Sequence, residues 1–264
     1  MCLVVLALGL HPRLPLVLAA NRDEYHARPS AAAHAWTDLP GVIGGRDMEQ
    51  LGTWLAASRP GAFAVVTNYR DPSKRRADAR SRGNLVRDFV ADRRQPADTF
   101  LRGRLADGDA YDGFNVIAGD ASGVWYASNR GGLRHLGCGL FGLSNHLLDT
   151  PWPKVTRAKA RLRALLESDD DALEEALFAL LGDRRPVPDT DLPATGVPLE
   201  WERRLSPPFI VSPDYGTRCS TLLTVDAAHR LRLVERSFDP TGSPTGTVTL
   251  ALDLERPIAI PAAA

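Results

Sequence analysis

The second residue of the chain, Cys2, is a cysteine that precedes a run of eight residues without a polar side chain. Removal of the methionine in front of it would leave an α-amine and a thiol on one residue. An α-amine titrates at a pKa of about 7.7–8.0 and can act as the base for its own thiol. A buried cysteine that packs as a small apolar side chain is the commoner alternative. Position 2 therefore suggests a nucleophile without establishing one.

A second group of chemically useful residues, Asn21, Arg22, Asp23 and Glu24, follows the next apolar run. A guanidinium near Cys2 would favour its thiolate form, so Arg22 is a candidate partner. Asn21 and Glu24 flank Arg22 and could hold it through charge-assisted hydrogen bonds. On a strand, Asp23 would point to the face opposite Arg22 and Glu24, which leaves the role of this acid open.

Three further residues offer hydrogen-bond donors. Asn145 follows Gly-Leu-Ser, and its amide could donate to an oxyanion, as could the backbone amide near Asn68. The alternative for Asn145 is an Asx turn at the end of a strand. Arg218 could bind a carboxylate or support the amine of residue 2, although an arginine that enters a strand is usually only solvated.

Aromatic residues near these motifs suggest how a ligand could be bound. Trp54 follows a glycine-rich turn and is a candidate for a pocket wall, with core packing as the alternative. His146 is a candidate for ligand binding. His146 and His26 could also ligate haem iron, but a lone histidine is more often a hydrogen-bonded structural residue.

The composition narrows the choice of partners. The chain has 264 residues, with 32 basic and 32 acidic side chains, so its net charge indicates neither a nucleic acid nor an acidic membrane as partner. The three cysteines, Cys2, Cys138 and Cys219, are widely separated, which argues against a disulfide framework and against a Cys-x-x-Cys metal site. We expect a small-molecule ligand and neither a metal nor another cofactor.

The apolar amino end is not typical of a secretory signal, because no basic residue precedes the apolar run. His11, Pro12 and Arg13 interrupt the run, so it does not reach the roughly 20 apolar residues that cross a bilayer. We therefore expect a cytoplasmic protein without a transmembrane segment. The two apolar runs on either side of the interruption predict a hairpin of two buried strands.

The rest of the chain alternates between strand and helix patterns. Strands are predicted at 41–47, 53–58, 62–68, 114–120, 124–129 and in three segments after residue 217. The charged segment 69–83 is expected to be a surface loop. Helical periodicity occurs in 84–94 and in 154–182. In the second segment, Asp171 and Glu174 predict a capping box. This order predicts one α+β domain, 1–264, with two mainly antiparallel sheets, helices outside, and a proline-rich excursion at about 183–217.

Several longer motifs resemble the NRDE family, which includes the transport and Golgi organization 2 proteins of animals. They are the initial MC, NRDEYHARPS, IGGRD…GTWLA, TNYRDP…SRGNLV, GLSNHLLDTPWPKV and RCSTLL. Leu51 and Ala56 stand where the resemblance leads us to expect glycine. The family is in turn similar to the N-terminal-nucleophile hydrolases of the choloylglycine hydrolase and penicillin V acylase type. The resemblance implies a four-layer αββα sandwich in which a cysteine begins the first strand.

The resemblance also implies a function and a set of residues for it. It implies a cysteine hydrolase that acts on a non-peptide N-acyl bond, with the catalytic residues Cys2, Arg22, Asp23, Asn68, Asn145 and Arg218. The related hydrolases usually carry the aspartate three residues after the arginine, whereas Asp23 directly follows Arg22. The alternative is a non-catalytic carrier of haem or of lipid or acyl-CoA on the same scaffold.

Overall fold

The computed structural model describes residues 2–74, 76, 78–92, 95–168 and 172–261, and describes the backbone but not the side chain of Cys2. Its strands are β1 (Cys2–Leu8), β2 (Leu16–Tyr25), β3 (Ser30–Ala35), β4 (Val42–Asp47), β5 (Leu55–Ser58), β6 (Ala62–Asn68), β7 (Phe114–Asp120), β8 (Gly123–Ser128), β9 (Gly132–Leu136), β10 (Gly139–Leu143), β11 (Tyr215–Val225), β12 (Arg230–Phe238) and β13 (Pro244–Asp253). Its α-helices are α1 (Gly83–Ala91), α2 (Ala97–Ala106), α3 (Pro153–Leu166), α4 (Leu173–Leu181) and α5 (Leu199–Arg204).

The strands form two antiparallel sheets. The six-stranded sheet has the order β10-β1-β2-β11-β12-β13, and the seven-stranded sheet runs from β3 to β9 in sequence order. Leu18 of the first sheet and Ile43 of the second belong to one buried apolar cluster between the sheets. Helices α1 and α2 pack on the outer face of the seven-stranded sheet, and α3 and α4 on that of the six-stranded sheet. The α+β fold with two antiparallel sheets and outer helices is thus confirmed.

The hairpin β1–β2 explains why the amino end is apolar on both faces. Val4 and Leu6 point into the core between the sheets, whereas Leu3 and Val5 point toward α3 and α4. Because both faces are covered, nearly every side chain of the two strands is buried. The prediction of two buried strands is confirmed.

One boundary differs from the sequence prediction in a way that matters for the site. The sequence predicts a strand only for the second apolar run, which Asn21 to Glu24 follow, but β2 continues through these polar residues to Tyr25. Strand β2 pairs with β1 as far as Arg22 and with β11 as far as Tyr25. These backbone hydrogen bonds outweigh the low strand propensity of the polar residues. The charged motif therefore lies on the sheet itself.

Several elements were not predicted. Strand β3 consists of serine, alanine and histidine residues, and β9 and β10 lie among glycines at 131, 132, 137 and 139, which resemble turns. Helices α2 and α5 bury few side chains. Asp171 of the predicted capping box lies outside the described residues. Among those that are described, no helix combines the length and apolarity needed to span a bilayer.

Candidate active site

A row of residues across the six-stranded sheet brings the amino end of the chain to the charged motif. Cys2 of β1 lies opposite Arg22 of β2, which in turn lies opposite Cys219 of β11. Ser237 of β12 completes the row. In the strands of this row, the residues in phase with Arg22, such as Leu18 and Ala20, face the space between the sheets. The site is therefore built at one end of the core between the two sheets.

The guanidinium of Arg22 is buried against an aromatic ring. Only 5% of Arg22 is exposed, and its guanidinium carbon lies 4.3 Å from the centroid of the Trp54 ring. Its Nη1 also donates a long hydrogen bond, 3.4 Å, to Ser30 Oγ of β3. A cation over a tryptophan face is stabilised by about 2 kcal/mol where water is excluded. The ring of Trp54 thus supports the guanidinium of Arg22, and the predicted contact of Trp54 with a ligand stays a prediction.

A glycine sets the position of that ring. A Cβ on Gly45 would lie 2.1 Å from Cζ2 of Trp54 and 2.4 Å from Cη2. The indole therefore packs directly on the backbone of β4, and a side chain at position 45 would exclude it. The second glycine of the IGGRD motif thus makes room for the ring that carries Arg22.

A cavity of about 290 Å³ opens beside Arg22. Its walls are formed by β2, the end of β4, the segment before β5, β6 and the segment that leads into α1, with Arg22, Asp47, Trp54, Asn68 and Arg82 as representatives. These residues come from separate motifs of the sequence: NRDE, IGGRD, GTWLA, TNYRDP and SRGNLV. Motifs far apart along the chain therefore converge on one cavity.

Two glycines join the walls of this cavity. A Cβ on Gly52 would lie 2.7 Å from the carbonyl carbon of Gly83, and one on Gly83 would lie 2.9 Å from the amide nitrogen of Thr53. Thr53 N donates a hydrogen bond of 3.2 Å to Gly83 O. The two backbones can approach this closely only because neither glycine carries a side chain. Their contact fixes the first turn of α1 at the cavity.

Asp23 points away from the Arg22 face, as the alternation of a strand predicts. Its Oδ1 accepts a hydrogen bond of 2.7 Å from Thr217 Oγ1, and its backbone oxygen accepts one of 2.9 Å from the Tyr215 hydroxyl. Burial raises the pKa of the Asp23 carboxyl above its ordinary value, and the bond from Thr217 opposes that rise. The carboxyl lies in a buried polar region on the helix side of the sheet.

The two predicted asparagines are in contact with each other. Asn145 Nδ2 donates a hydrogen bond of 2.9 Å to the backbone oxygen of Asn68 at the end of β6. Asn68 lines the cavity, whereas Asn145 is completely buried and does not belong to the lining in the described part of the chain. Asn145 therefore holds the backbone of Asn68 by a hydrogen bond, and its predicted contact with an oxyanion stays a prediction.

Arg218 stabilises the turn that follows the charged motif. It lies at an irregularity of β11, between Thr217 and Cys219, where the register with β2 shifts. Its Nη1 donates to the backbone oxygens of Tyr25, His26 and Arg28 at 2.9, 3.2 and 3.2 Å. Partial burial, together with the nearby Arg22, lowers the pKa of Arg218. Its guanidinium thus binds carbonyl groups of the protein.

Two predicted substrate-binding residues are engaged elsewhere. Asn21 Nδ2 donates to the backbone oxygens of Leu181 and Pro208, both at 2.9 Å, on the helix side of the sheet. His146 lies between the Tyr69 hydroxyl and Thr150 Oγ1, each 2.8 Å from one of its ring nitrogens. Partial burial lowers the pKa of His146. Neither residue is part of the cavity lining that the structure describes.

Glu24 does line the cavity, but it does not hold Arg22. Its Oε1 accepts a hydrogen bond of 2.9 Å from the amide of Tyr25, and its Oε2 lies 4.0 Å from Arg28 Nε. Among the described residues, neither Asn21 nor Glu24 forms a hydrogen bond with Arg22. The expectation that they support the guanidinium is therefore wrong, because the face of the sheet and the β2–β3 turn direct them to other partners.

Sequence reasoning missed Glu235, a buried acid near Arg22. Its Oε1 accepts a hydrogen bond of 2.7 Å from the amide of Ala33, and its Oε2 accepts one of 3.0 Å from Thr221 Oγ1. Ala33 can donate because it lies at the irregularity of β3, outside the regular ladder. Burial raises the pKa of Glu235, and the positive charge of Arg22 is among the factors that oppose the rise. Glu235 thus joins the two sheets beside Arg22.

The comparisons with known proteins agree with the motifs. A family model described as "Transport and Golgi organisation 2" matches residues 1–240. The chain is 38% identical over 254 residues to the Transport and Golgi organization protein 2 homolog of Bos taurus, covering 88% of this chain and 91% of that protein. It is 34% identical over 240 residues to the Homo sapiens homolog, covering 84% of this chain and 86% of that protein.

Among solved structures, the chain is similar to a Caenorhabditis elegans N-acylethanolamine-hydrolyzing acid amidase ortholog. The TM-score is 0.43 at 11% identity, covering 84% of this chain and 92% of that one. It is also similar to Anbu from Hyphomicrobium sp. strain MC1, with a TM-score of 0.40 at 12% identity, covering 97% of this chain and 89% of that one.

Proposed function

The chain belongs to the Transport and Golgi organisation 2 family, and from this premise and the geometry of its charged motif we propose that it is a cysteine amidohydrolase acting on a non-peptide N-acyl bond. The observation that supports the proposal is the register of the first hairpin, in which the backbone of Cys2 lies directly opposite Arg22, a residue that lines the cavity. Removal of Met1 would make Cys2 the terminal residue. Its thiol would then be the nucleophile.

The proposed chemistry begins with the thiolate. The fixed positive charge of Arg22 lowers the free energy of a thiolate beside it, and burial strengthens that effect. The α-amine of residue 2 acts as the base that accepts the thiol proton and later returns it to the leaving amine. The thiolate attacks the amide carbon, the amine leaves, and water hydrolyses the thioester.

The negative oxygen of the tetrahedral intermediate needs a donor. Asn68 is the proposed donor because it lines the cavity. Its backbone is also held in place, since its carbonyl oxygen accepts a hydrogen bond of 2.9 Å from Asn145 Nδ2. A single preorganised donor of this kind contributes roughly 3–4 kcal/mol to transition-state stabilisation. Asp23, on the other face of β2, is proposed to hold the α-amine.

The carrier alternative is less well supported by the cavity. In the described part of the wall, apolar side chains come from Trp54, Val66 and Ala79, and the other side chains are polar or charged. A haem or a long acyl chain would leave many of those polar groups without partners, which is unfavourable. The cavity therefore favours a small polar substrate over a haem or lipid cargo. A cytoplasmic location stays a prediction.

The test combines a mass measurement with an activity screen. Intact-mass analysis of the natively expressed protein should show that Met1 is absent. A panel of N-acyl amides should then be hydrolysed by the wild type, and Cys2→Ala should lose this activity. Cys138→Ser is the matched control, since Cys138 is an exposed thiol remote from the row. Complete retention of Met1, or equal turnover by wild type and Cys2→Ala, would contradict the proposal.

A further inference from the structure

The two sheets have four edge strands, and three of these edges are closed. At β10, Gly142 N donates to Asp149 Oδ1 at 2.9 Å, and Asp149 N donates to Gly142 O at 2.7 Å. Strand β3 is irregular, and the amide of Ala33 donates to Glu235 at 2.7 Å. Strand β9 carries the exposed Arg134. Capping, irregularity and charge each hinder a sheet edge from pairing with another chain.

Strand β13, the fourth edge, is longer and more regular. It has ten residues, whereas the other three edge strands have five or six. Its pairing with β12 is regular from Gly246 to Asp253, and residues 240–252 contain no charged side chain. Among the residues that the structure describes, β13 pairs with β12 alone. Its other side therefore presents backbone amides and carbonyls with which a further strand can pair.

The side chains of β13 suit a strand that continues the sheet. Helix α4 covers the outer face as far as β12, where Glu175 Oε1 lies 2.8 Å from Arg236 Nη2. On the same face, Thr249 of β13 is exposed. On the other face, Val248 and Leu250 are half-buried, and Leu250 packs against the core between the sheets. A further strand would thus extend a polar outer face and an apolar inner face.

We propose that β13 pairs in antiparallel orientation with β13 of a second copy of this chain. A two-fold axis at Thr249 places this residue opposite its counterpart and Val248 opposite Leu250 of the second copy. The paired residues from Gly246 to Leu252 then all belong to the regular, uncharged part of the strand. Opposed threonines and opposed apolar side chains stabilise neighbouring strands, and no like charges meet. The edge is therefore complementary to itself.

A peptide strand from another protein is less well supported. Domains that bind such a strand use main-chain hydrogen bonds for affinity and pockets beside the edge for specificity. The cavities beside Arg22, Trp152 and Phe89 are lined by segments other than β13. A second copy needs no such pocket, because the two-fold symmetry sets the register of the pair.

Sedimentation velocity of the full chain from about 10 µM to about 1 mM tests the proposal. Pairing of one edge covers less area than a standard interface of about 1,600 Å², so we expect a reversible dimer within this range. Thr249→Lys and Thr249→Glu each place like charges opposite each other and should raise the dissociation constant at least about fivefold. An equal mixture of these two variants should restore association at least to the wild-type level. Thr156→Lys, at an exposed position of α3, is the matched control and should associate like the wild type.

A cross-link tests the register. Directly opposed residues of antiparallel strands have Cα atoms about 4.5–5.5 Å apart, which is within the roughly 4.4–6.8 Å that a disulfide spans. The background variant Cys138→Ser removes an exposed thiol. In this background, Thr249→Cys should form a disulfide-linked dimer on oxidation, and Thr156→Cys should not.

Thermal unfolding of each variant shows that the fold is kept. A wild type that stays monomeric over the whole concentration range overturns the proposal, as does equal association of the wild type and both charge variants. Failure of the mixture to recover association also contradicts it. Equal cross-linking of Thr249→Cys and Thr156→Cys excludes the proposed register.

Discussion

The contact between Gly45 and Trp54 leads to a sharp prediction. In Gly45→Ala, the new Cβ would lie 2.1 Å from Trp54 Cζ2, whereas ordinary contacts begin at 3.4 Å. The ring must therefore withdraw by roughly 1.3 Å from the place where Arg22 stacks on it. Gly45 does not have a positive φ, so the effect is steric rather than a change in backbone strain.

The magnitude follows from two contributions. Overpacking a buried contact costs about 1–3 kcal/mol. Weakening the stacking of Arg22 removes up to about 2 kcal/mol where the guanidinium is desolvated. We expect Gly45→Ala to lower the free energy of unfolding by about 2–4 kcal/mol, a large part of the roughly 5–15 kcal/mol of a typical domain.

Urea unfolding followed by far-ultraviolet circular dichroism measures this change. The midpoint should fall while the slope with denaturant stays constant. Gly246→Ala is the control, because a Cβ on this glycine of β13 would meet nothing within 4 Å. Its stability should stay within about 0.5 kcal/mol of the wild type.

A double-mutant cycle tests the mechanism. Trp54→Phe removes Cζ2 and Cη2, the two atoms nearest the new Cβ. Gly45→Ala should therefore cost at least about 1 kcal/mol less when it is combined with Trp54→Phe than when it is introduced into the wild type. An equal cost in both backgrounds would refute the argument that Gly45 sets the position of the ring.

Three shorter predictions concern other parts of the molecule. In iodoacetamide labelling of the native protein, Cys138 should react rapidly and Cys219 slowly, because Cys219 is buried and burial raises the pKa of its thiol well above the ordinary value; equal rates would contradict this. Gly83→Ala should destabilise the protein by about 1–3 kcal/mol in urea unfolding, because the new Cβ would lie 2.9 Å from the backbone nitrogen of Thr53. Gly103→Ala is the control and should be neutral or stabilising, because its Cβ would meet nothing within 4 Å. Leu51→Gly should raise the melting temperature slightly. Leu51 has a φ of 55°, and a leucine in this left-handed conformation costs about 1–2 kcal/mol, which glycine avoids. The greater flexibility of glycine in the unfolded chain cancels part of that gain.

The elements that could be predicted are those whose pattern of apolar residues directly reflects which of their faces are buried. The hairpin β1–β2 was predicted because both of its faces are covered, and α1 because Leu85, Val86, Phe89 and Val90 form one buried stripe. Strand β3 could not be predicted in this way. Its pairing with β4 and the contact of Ala33 with Glu235 hold it in place, rather than its own propensity.

The site was predicted in part for a similar reason. Arg22 and Trp54 were recognised from local motifs, but their contact depends on Gly45, which lies on another strand. Arg80 and Arg82 belong to the charged segment 69–83, which was expected to be a surface loop, although Arg70 of this segment is buried and Gly83 begins α1. Their place in the cavity wall follows from the packing of the segment against β2 and β6, which local sequence does not encode.

Glu235 did leave a signal in the sequence. In β12 the residues Leu231 and Leu233 face the core between the sheets, and Glu235 continues the same phase. In β2 the residues Leu18 and Ala20 face that core, and Arg22 continues their phase. A charged residue that replaces an apolar one in a regular alternation marks a buried charge.

The positions of these two charges argue that this end of the core is built for a reaction or a ligand rather than for stability. Burying a guanidinium costs several kcal/mol, and the ring of Trp54 and the nearby carboxyl of Glu235 offset only part of that cost. An apolar residue at position 22 would extend the core of Leu18 and Ala20 at a lower cost. The fold nevertheless holds a buried cation opposite the backbone of Cys2 and beside a polar cavity. The proposed amidohydrolase accounts for this cost, because its thiolate and its oxyanion are negative charges that a buried guanidinium would stabilise.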